Sequence, residues 1–244
     1  MKKIIVGNWK MNPTSPDEVE RIFSKIKKYS SKPGVEVVIT PPSIFVPLLR
    51  DRGIQIGVQN AHHKKRGSFT GEISPEMAAE SGCKYIIVGH SERRRVFGES
   101  NQVVNKKLKK IFETELKAIL CVGESKKEKK DGMTAETIKR QLEAALSDLK
   151  FKNEKLIIGY EPVWAIGSGN PCDSETAFKM RLLIKKIISR LFSRDVAEEV
   201  RIVYGGSVDS NNCMRYVEDA KFDGLLVGGA SLKPEEFSGI IKKI

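Results

Sequence analysis

The 244 residues contain only four cysteines and three histidines. Cys83, Cys121, Cys172 and Cys213 are far apart and form no CxxC pair. That spacing excludes a disulfide frame and a cysteine-held zinc site, and it predicts free thiols in a reducing compartment. His62 and His63 are adjacent, and no HExxH spacing occurs. No transition-metal site is expected. No run of about 18 apolar residues is present, so no segment is expected to span a membrane. The opening MKKIIVGNWK has too short an apolar stretch before Gly7 for a signal peptide, which predicts a cytoplasmic protein. GxxxxGK[ST] and a full GxGxxG are both missing, so no nucleotide loop is expected.

Acidic residues are in deficit. Lys and Arg number 43 against 31 Asp and Glu, a net charge of +12. Such a charge attracts anionic substrates or nucleic acid. However, runs such as KKEKKD (126–131) read as solvated helix ends, and no basic motif interleaved with aromatics is visible. No nucleic-acid partner is expected. With 40% hydrophobic and 30% charged residues, the chain has enough apolar material for a sizeable core.

What is there is a repeat of short β-rich runs separated by helical patterns. The strand candidates are 3–8, 35–40, 54–59, 84–90, 117–122, 155–160, 201–206 and 222–228. Most are nearly continuous apolar runs without alternation, as expected of strands buried on both faces of a parallel sheet. Between them, Ser15-Pro16-Asp17-Glu18 reads as a capping box with proline at the first helical position. Val19, Ile22, Phe23 and Ile26 then share one helix face. Met180, Leu183, Ile184, Ile187, Ile188 and Leu191 repeat this pattern later. Eight strand–helix units in one chain without a linker predict a single domain, 1–244, folded as a (β/α)₈ barrel with eight parallel strands and outer helices. A doubly wound open sheet is the alternative.

In a barrel, residues just past the strand ends face the active site. Asn8 and Lys10 follow the first strand, His90 ends the fourth and Glu161 follows the sixth. Lys10 could stabilise a developing oxyanion, although a lysine is more often a solvated charge. His90, before an apparent helix start, could stay neutral and donate a hydrogen bond to a carbonyl; a structural histidine is the plainer reading. Glu161 opens the segment YEPVWAIGSG (160–169). An apolar lid over it, with Ala165 and Ile166 as its covering tip, would desolvate the carboxylate and strengthen it as a base toward a carbon acid. The pairs Gly205-Gly206 and Gly228-Gly229 let backbone amides approach a phosphate. From these residues alone the reading is a barrel enzyme acting on a small phosphorylated carbonyl compound.

Eight stretches, in order, resemble the triosephosphate isomerase family. They are GNWKMN (7–12), TPPSIF (40–45), GSFTGEIS (67–74), VGHSERRRVFGES (88–100), AILCVGE (118–124), YEPVWAIGSG (160–169), YGGSV (204–208) and DGLLVGGASL (223–232). The resemblance covers essentially the whole chain. It implies interconversion of dihydroxyacetone phosphate and D-glyceraldehyde 3-phosphate through an enediolate, without metal or organic cofactor, in glycolysis and gluconeogenesis. It implies that Glu161 is the base, that His90 polarises the carbonyl and shuttles a proton, and that Lys10 and Asn8 bind substrate. Backbone around Gly167, Ser207, Gly228 and Gly229 would hold the phosphate, and Glu92 would pair with Lys10. It also implies a homodimer, with the 60–74 loop entering the neighbouring subunit and Thr70 near its active site. Two positions depart from the family's usual pattern: Ser168 stands where threonine is common and Cys172 where alanine is common. The basic HHKKR (62–66) is unusual for that loop. Two rivals remain. Another sugar-phosphate barrel, such as an aldolase or a phosphoribosyl isomerase, is one, although a Schiff-base aldolase would want lysine at strand six. A basic nucleic-acid-binding protein on an inactive barrel is the other.

Overall fold

A computed structural model describes residues 1–244. Eight strands close into an all-parallel barrel in sequence order: β1 (Lys3–Asn8), β2 (Val35–Thr40), β3 (Gln55–Val58), β4 (Tyr85–Val88), β5 (Lys117–Val122), β6 (Leu156–Tyr160), β7 (Arg201–Tyr204) and β8 (Gly224–Val227). β8 pairs with β1, with Ile4 opposite Gly224 and Gly7 opposite Val227. The open-sheet alternative is therefore excluded.

The outer layer comprises α1 (Pro16–Lys27), α2 (Val46–Leu49), α3 (Pro75–Glu80), α4 (Ser91–Val96), α5 (Asn101–Phe112), α6 (Lys126–Lys130), α7 (Thr134–Leu146), α8 (Ser174–Leu191), α9 (Arg194–Glu199) and α10 (Pro234–Lys243). A π-helical turn, Arg215–Asp219, stands between β7 and β8. A 3₁₀ turn, Gly229–Leu232, follows β8.

The unbroken apolar strands have a simple cause. Alternate side chains point to two different cores, and both are dry. Ile4 and Val6 of β1 belong to a ten-residue cluster with Val38, Tyr85, Ile119 and Leu226, which fills the barrel interior. Ile5, between them, joins the larger cluster that packs the sheet against the helices. The interior position of β3 is Gly57, which leaves room for Tyr85: a Cβ there would lie 2.9 Å from the Tyr85 Cβ. At the N-terminal end of the barrel, the Tyr85 hydroxyl donates to Glu36, and Arg201 pairs with the same carboxylate at 2.7 Å. That end is plugged, so access is from the C-terminal end.

α1 begins as its sequence suggests. Ser15 caps it by accepting the Glu18 N–H, and Pro16 stands in the first turn. The return half of the expected capping box, from the Ser15 N–H to the Glu18 carboxylate, is not made; Glu18 pairs with Arg21 instead, at 3.7 Å. The reciprocal box forms at Ser125 and Glu128, at the start of α6. In α8, Ile184, Ile187 and Ile188 are buried, while Met180, Leu183 and Leu191 cover the edge of the core.

Four strands stop short of the expected ends, β3 by one residue, at Val58. β4 ends at Val88, not His90, because Gly89 adopts φ +67° and turns the chain out of the sheet. β7 ends before Gly205-Gly206, and β8 before Gly228. The chemistry-bearing residues thus sit on connections held at the barrel rim.

Candidate active site

Each of the first three polar residues is placed by a different strand exit. After β1, Trp9 is fully buried and anchors the chain. Lys10 follows with φ +55°, a left-handed conformation that a residue with a Cβ adopts at a cost. Its N–H donates to Asn8 Oδ1 at 3.1 Å, and its carbonyl accepts from Gln59 Nε2 at 2.7 Å. The Lys10 ammonium meets Glu92 Oε1 at 2.5 Å, as the family resemblance implied.

After β4, His90 caps α4. Its Nδ1 accepts the Glu92 N–H at 3.2 Å, and its Nε2 lies 2.9 Å from Glu161 Oε1. The Nδ1 that accepts this amide proton leaves Nε2 as the nitrogen that faces the carboxylate. Burial opposes a charge on this ring, but the Glu161 carboxylate beside it prevails and raises its pKa. The expected donor nitrogen, Nε2, is pointed at the carboxylate in the unliganded site, and the raised pKa runs against the expectation of a ring held neutral by the helix start.

After β6, the Glu161 N–H donates to Val122 O at 2.8 Å, and the side chain is 2% exposed. Its Oε2 accepts the Ser91 N–H at 2.9 Å. Burial alone would raise its pKa. The His90 ring and the Ser91 amide outweigh burial and hold the carboxyl below its usual range. This corrects the simple expectation that a buried Glu161 is a strengthened base. It is already desolvated before anything binds, and its basicity is restrained by two hydrogen bonds.

The close approach of β5 and β6 at this point depends on Gly123. A Cβ there would lie 1.7 Å from the Glu161 carbonyl oxygen, which is backbone and cannot swing aside. Gly123→Ala should therefore destabilise the protein by about 3 kcal/mol or more, read as a lowered urea midpoint with the slope unchanged. A midpoint equal to that of the parent would show that the two strand exits can separate freely.

The segment after Glu161 is pinned at its start. Trp164 Nε1 donates to Glu124 Oε1 at 2.7 Å, and the Tyr160 hydroxyl is 3.3 Å from the same carboxylate. Lys129 lies over the Trp164 ring, 3.1 Å from its centroid. Burial pushes the Glu124 carboxyl up despite these donors. Ala165, expected to form the tip with Ile166, is fully buried, because its N–H bonds back to Pro162 O at 2.8 Å and tucks the turn inward. Ile166 and Gly167 face the cavity instead. Ser168 accepts the Asn170 N–H at 3.0 Å, so its hydroxyl is used within the loop. Cys172 at the far end is buried, its thiol pushed up to about 12 by desolvation, and its carbonyl accepts from Tyr216 at 2.7 Å.

All eight site residues expected from sequence line one cavity of about 660 Å³. Asn8, Lys10, His90 and Glu161 form one wall. Gly167, Ser207, Gly228 and Gly229 stand around the rest. That volume suits a small ligand with room for water. Gly228 caps the 3₁₀ turn of residues 229–232, and the first amides of such a turn have no carbonyl one turn earlier to bond. A Cβ at Gly229 would touch nothing within 4 Å, so packing does not require glycine there. No cluster of three or more His, Cys, Asp or Glu side chains could hold a metal ion.

Sequence reasoning missed Gln59, Ser91 and Glu124. Gln59 was visible only as a polar end to an apolar strand. The contacts of Ser91 and Glu124 join distant strand exits and leave no local signal.

A protein-family model described as triosephosphate isomerase matches residues 3–244. The triosephosphate isomerase of Dictyoglomus turgidum is 46% identical over 247 residues, covering 99% of each chain. That of Aquifex aeolicus is 42% identical over 245 residues, again covering 99% of each. That of Clostridium tetani is 44% identical over 245 residues, covering 98% of this chain and 96% of its own. With a closed eight-stranded barrel and this cavity at its rim, the chain belongs to the triosephosphate isomerase family.

Proposed function

We propose that the cavity isomerises dihydroxyacetone phosphate and D-glyceraldehyde 3-phosphate, the aldose–ketose reaction of the family, with Glu161, His90 and Lys10 as its working groups. The observation that carries this is the 2.9 Å contact between Glu161 and His90 inside a cavity that Lys10 also enters. A carboxylate and a neutral imidazole that face each other can act on two adjacent carbons of one small substrate.

The substrate's phosphate sits among the amides around Gly167, Ser207, Gly228 and Gly229, and Asn8 contacts the triose. The carbonyl oxygen takes the His90 Nε2–H in place of Glu161. Glu161 is thereby released from one of the partners that hold its pKa down, and its basicity rises as the lid closes. It removes the proton from the carbon beside the carbonyl. The electron pair moves onto the carbonyl oxygen, giving an enediolate whose charge Lys10 and the His90 N–H stabilise. His90 moves a proton between the two oxygens, and Glu161 returns its proton to the neighbouring carbon. The neutral histidine, glutamate base and closing loop are the known pattern of this reaction.

The role of Lys10 has a direct check. In a coupled assay with glyceraldehyde 3-phosphate, the purified protein should turn over without added metal, and Lys10→Ala should raise KM and lower kcat together. Unchanged KM and kcat in that variant would remove Lys10 from the site.

We place the enzyme in the cytoplasm, a reading supported by four buried free cysteines. No helix is long and apolar enough to cross a membrane. We also infer an isologous homodimer. Met11 is 88% exposed and Phe97 67% exposed, and both rim a second cavity of about 380 Å³ beside Lys10. Residues 60–74 form no helix or strand, and Phe69 in this loop is exposed and tilted against His62, with ring centroids 4.2 Å apart. Exposed apolar groups beside a cavity, and a loop of that length, suit reciprocal docking between copies. Light scattering should give about twice 27.3 kDa. A fully active monomer would overturn this reading.

A further inference from the structure

The strained link in the site is the backbone at Lys10. Its φ of +55° is one of four positive values among non-glycine residues, and it alone of the four lines the cavity. A residue with a Cβ leaves that conformation unless its surroundings hold it there. The lysine's own side chain does not do this, because its ion pair with Glu92 is at the far end of a flexible stem.

Asn8 Oδ1 holds the Lys10 N–H, and a third strand exit holds the Lys10 carbonyl. Gln59 stands one residue past β3, at Gln55–Val58. Its carboxamide nitrogen donates to the Lys10 carbonyl at 2.7 Å and to the Thr40 carbonyl at 2.9 Å. Thr40 is the last residue of β2, is fully buried, and its carbonyl also accepts the Trp9 N–H at 3.2 Å. A carboxamide nitrogen has two hydrogens, and both are used. One side chain thus ties the turn after β1 to the end of β2, with the Lys10 carbonyl as the held point.

We propose that Gln59 is a positioning residue for Lys10, setting the left-handed turn that carries the Lys10 ammonium into the substrate cavity. This rests on the assignment of Lys10 to substrate binding made above. Gln59 does not touch the reacting atoms. Its bond to the Thr40 carbonyl supports the fold and its bond to the Lys10 carbonyl serves the site, so an effect on binding that depends on Lys10 separates positioning from general support.

The test is a double-mutant cycle read by calorimetric titration with glycerol 3-phosphate, a three-carbon phosphate ester that cannot isomerise. Gln59→Met keeps the length and removes both donors. It should weaken binding about 10-fold in the parent and less than about twofold in Lys10→Ala, because a side chain that acts through Lys10 has nothing left to position. Equal weakening in both backgrounds, or none in either, would overturn the inference. Lys10→Ala binding as tightly as the parent would instead overturn the assignment of Lys10 beneath it.

Gln59→Glu supplies a second reading if the methionine variant does not fold. Ionised, it sets an acceptor against two carbonyls; protonated, it can still donate to one. The side chain shares its cavity with Lys10, Glu72, His90, Glu92 and Arg93. Affinity of this variant, relative to the parent at the same pH, should be lower at about pH 8, where the half-buried carboxyl is ionised, than at the acid end of the range in which the protein stays folded, where it is protonated. A pH-independent ratio of one would also overturn the inference.

Discussion

Replacing Glu161 by Asp lowers kcat about 100-fold while the barrel stays folded. The shorter side chain withdraws the carboxylate by about one methylene, and a misplacement of about 1 Å can cost that much. The geometry sharpens this expectation. Glu161 reaches across to the Ser91 amide at 2.9 Å and to His90 at 2.9 Å. Its position is thus defined at both oxygens, and a shorter acid cannot keep both contacts. The barrel is not at risk, since the backbone bond from Glu161 N–H to Val122 O does not involve the side chain. Circular dichroism and the urea midpoint should stay close to those of the parent. Wild-type kcat in Glu161→Asp would place the base elsewhere.

Deleting Ile166 to Gly169 leaves a folded protein that isomerises about 100-fold more slowly or worse, binds substrate weakly and leaks its intermediate. The deletion starts beyond the anchor, because Trp164 is bonded to Glu124 and Ala165 is fully buried. It removes Ile166, which faces the cavity, and Gly167, which lines it with φ +65°. An enediolate phosphate open to water can break its carbon–oxygen bond to phosphate. The products are inorganic phosphate and an enol that becomes methylglyoxal. Product analysis should therefore show methylglyoxal and phosphate as a larger fraction of turnovers than with the intact loop. The same ratio of elimination to isomerisation would show that the segment does not shield the intermediate.

These two predictions draw on different layers of the sequence. The barrel was legible because a strand buried on both faces must be apolar throughout, as Ile4, Ile5 and Val6 are. Most of the site residues were legible because strand exits of such a barrel converge, Gly167 came from the family resemblance, and all eight line one cavity. What was hidden depends on contacts between separate exits. The restrained basicity of Glu161 comes from His90 and Ser91, the latter 70 residues away in the chain. The anchoring of Trp164 comes from Glu124, at the exit of β5. Ala165 looked like part of an apolar tip, yet the turn from Pro162 folds it inward, and periodicity cannot report a turn. β4 was overextended because Gly89 continues an apolar run on paper while its φ of +67° turns the chain out of the sheet, and the expected runs of β3, β7 and β8 went on into Gln59, Gly205 and Gly228 past the last strand residue.

The central claim is that Glu161 carries the proton between two carbons. A proton held on a carboxyl group exchanges with solvent before it is returned, so the reaction should print solvent hydrogen into carbon. The decisive measurement is proton NMR of the product formed from glyceraldehyde 3-phosphate in D₂O. The intact enzyme should give dihydroxyacetone phosphate with deuterium at C1. Glu161→Gln, which keeps the size and an acceptor for Ser91, should give no deuterated product above the uncatalysed rate. Deuterium entering C1 at the parent's rate in Glu161→Gln would contradict the account.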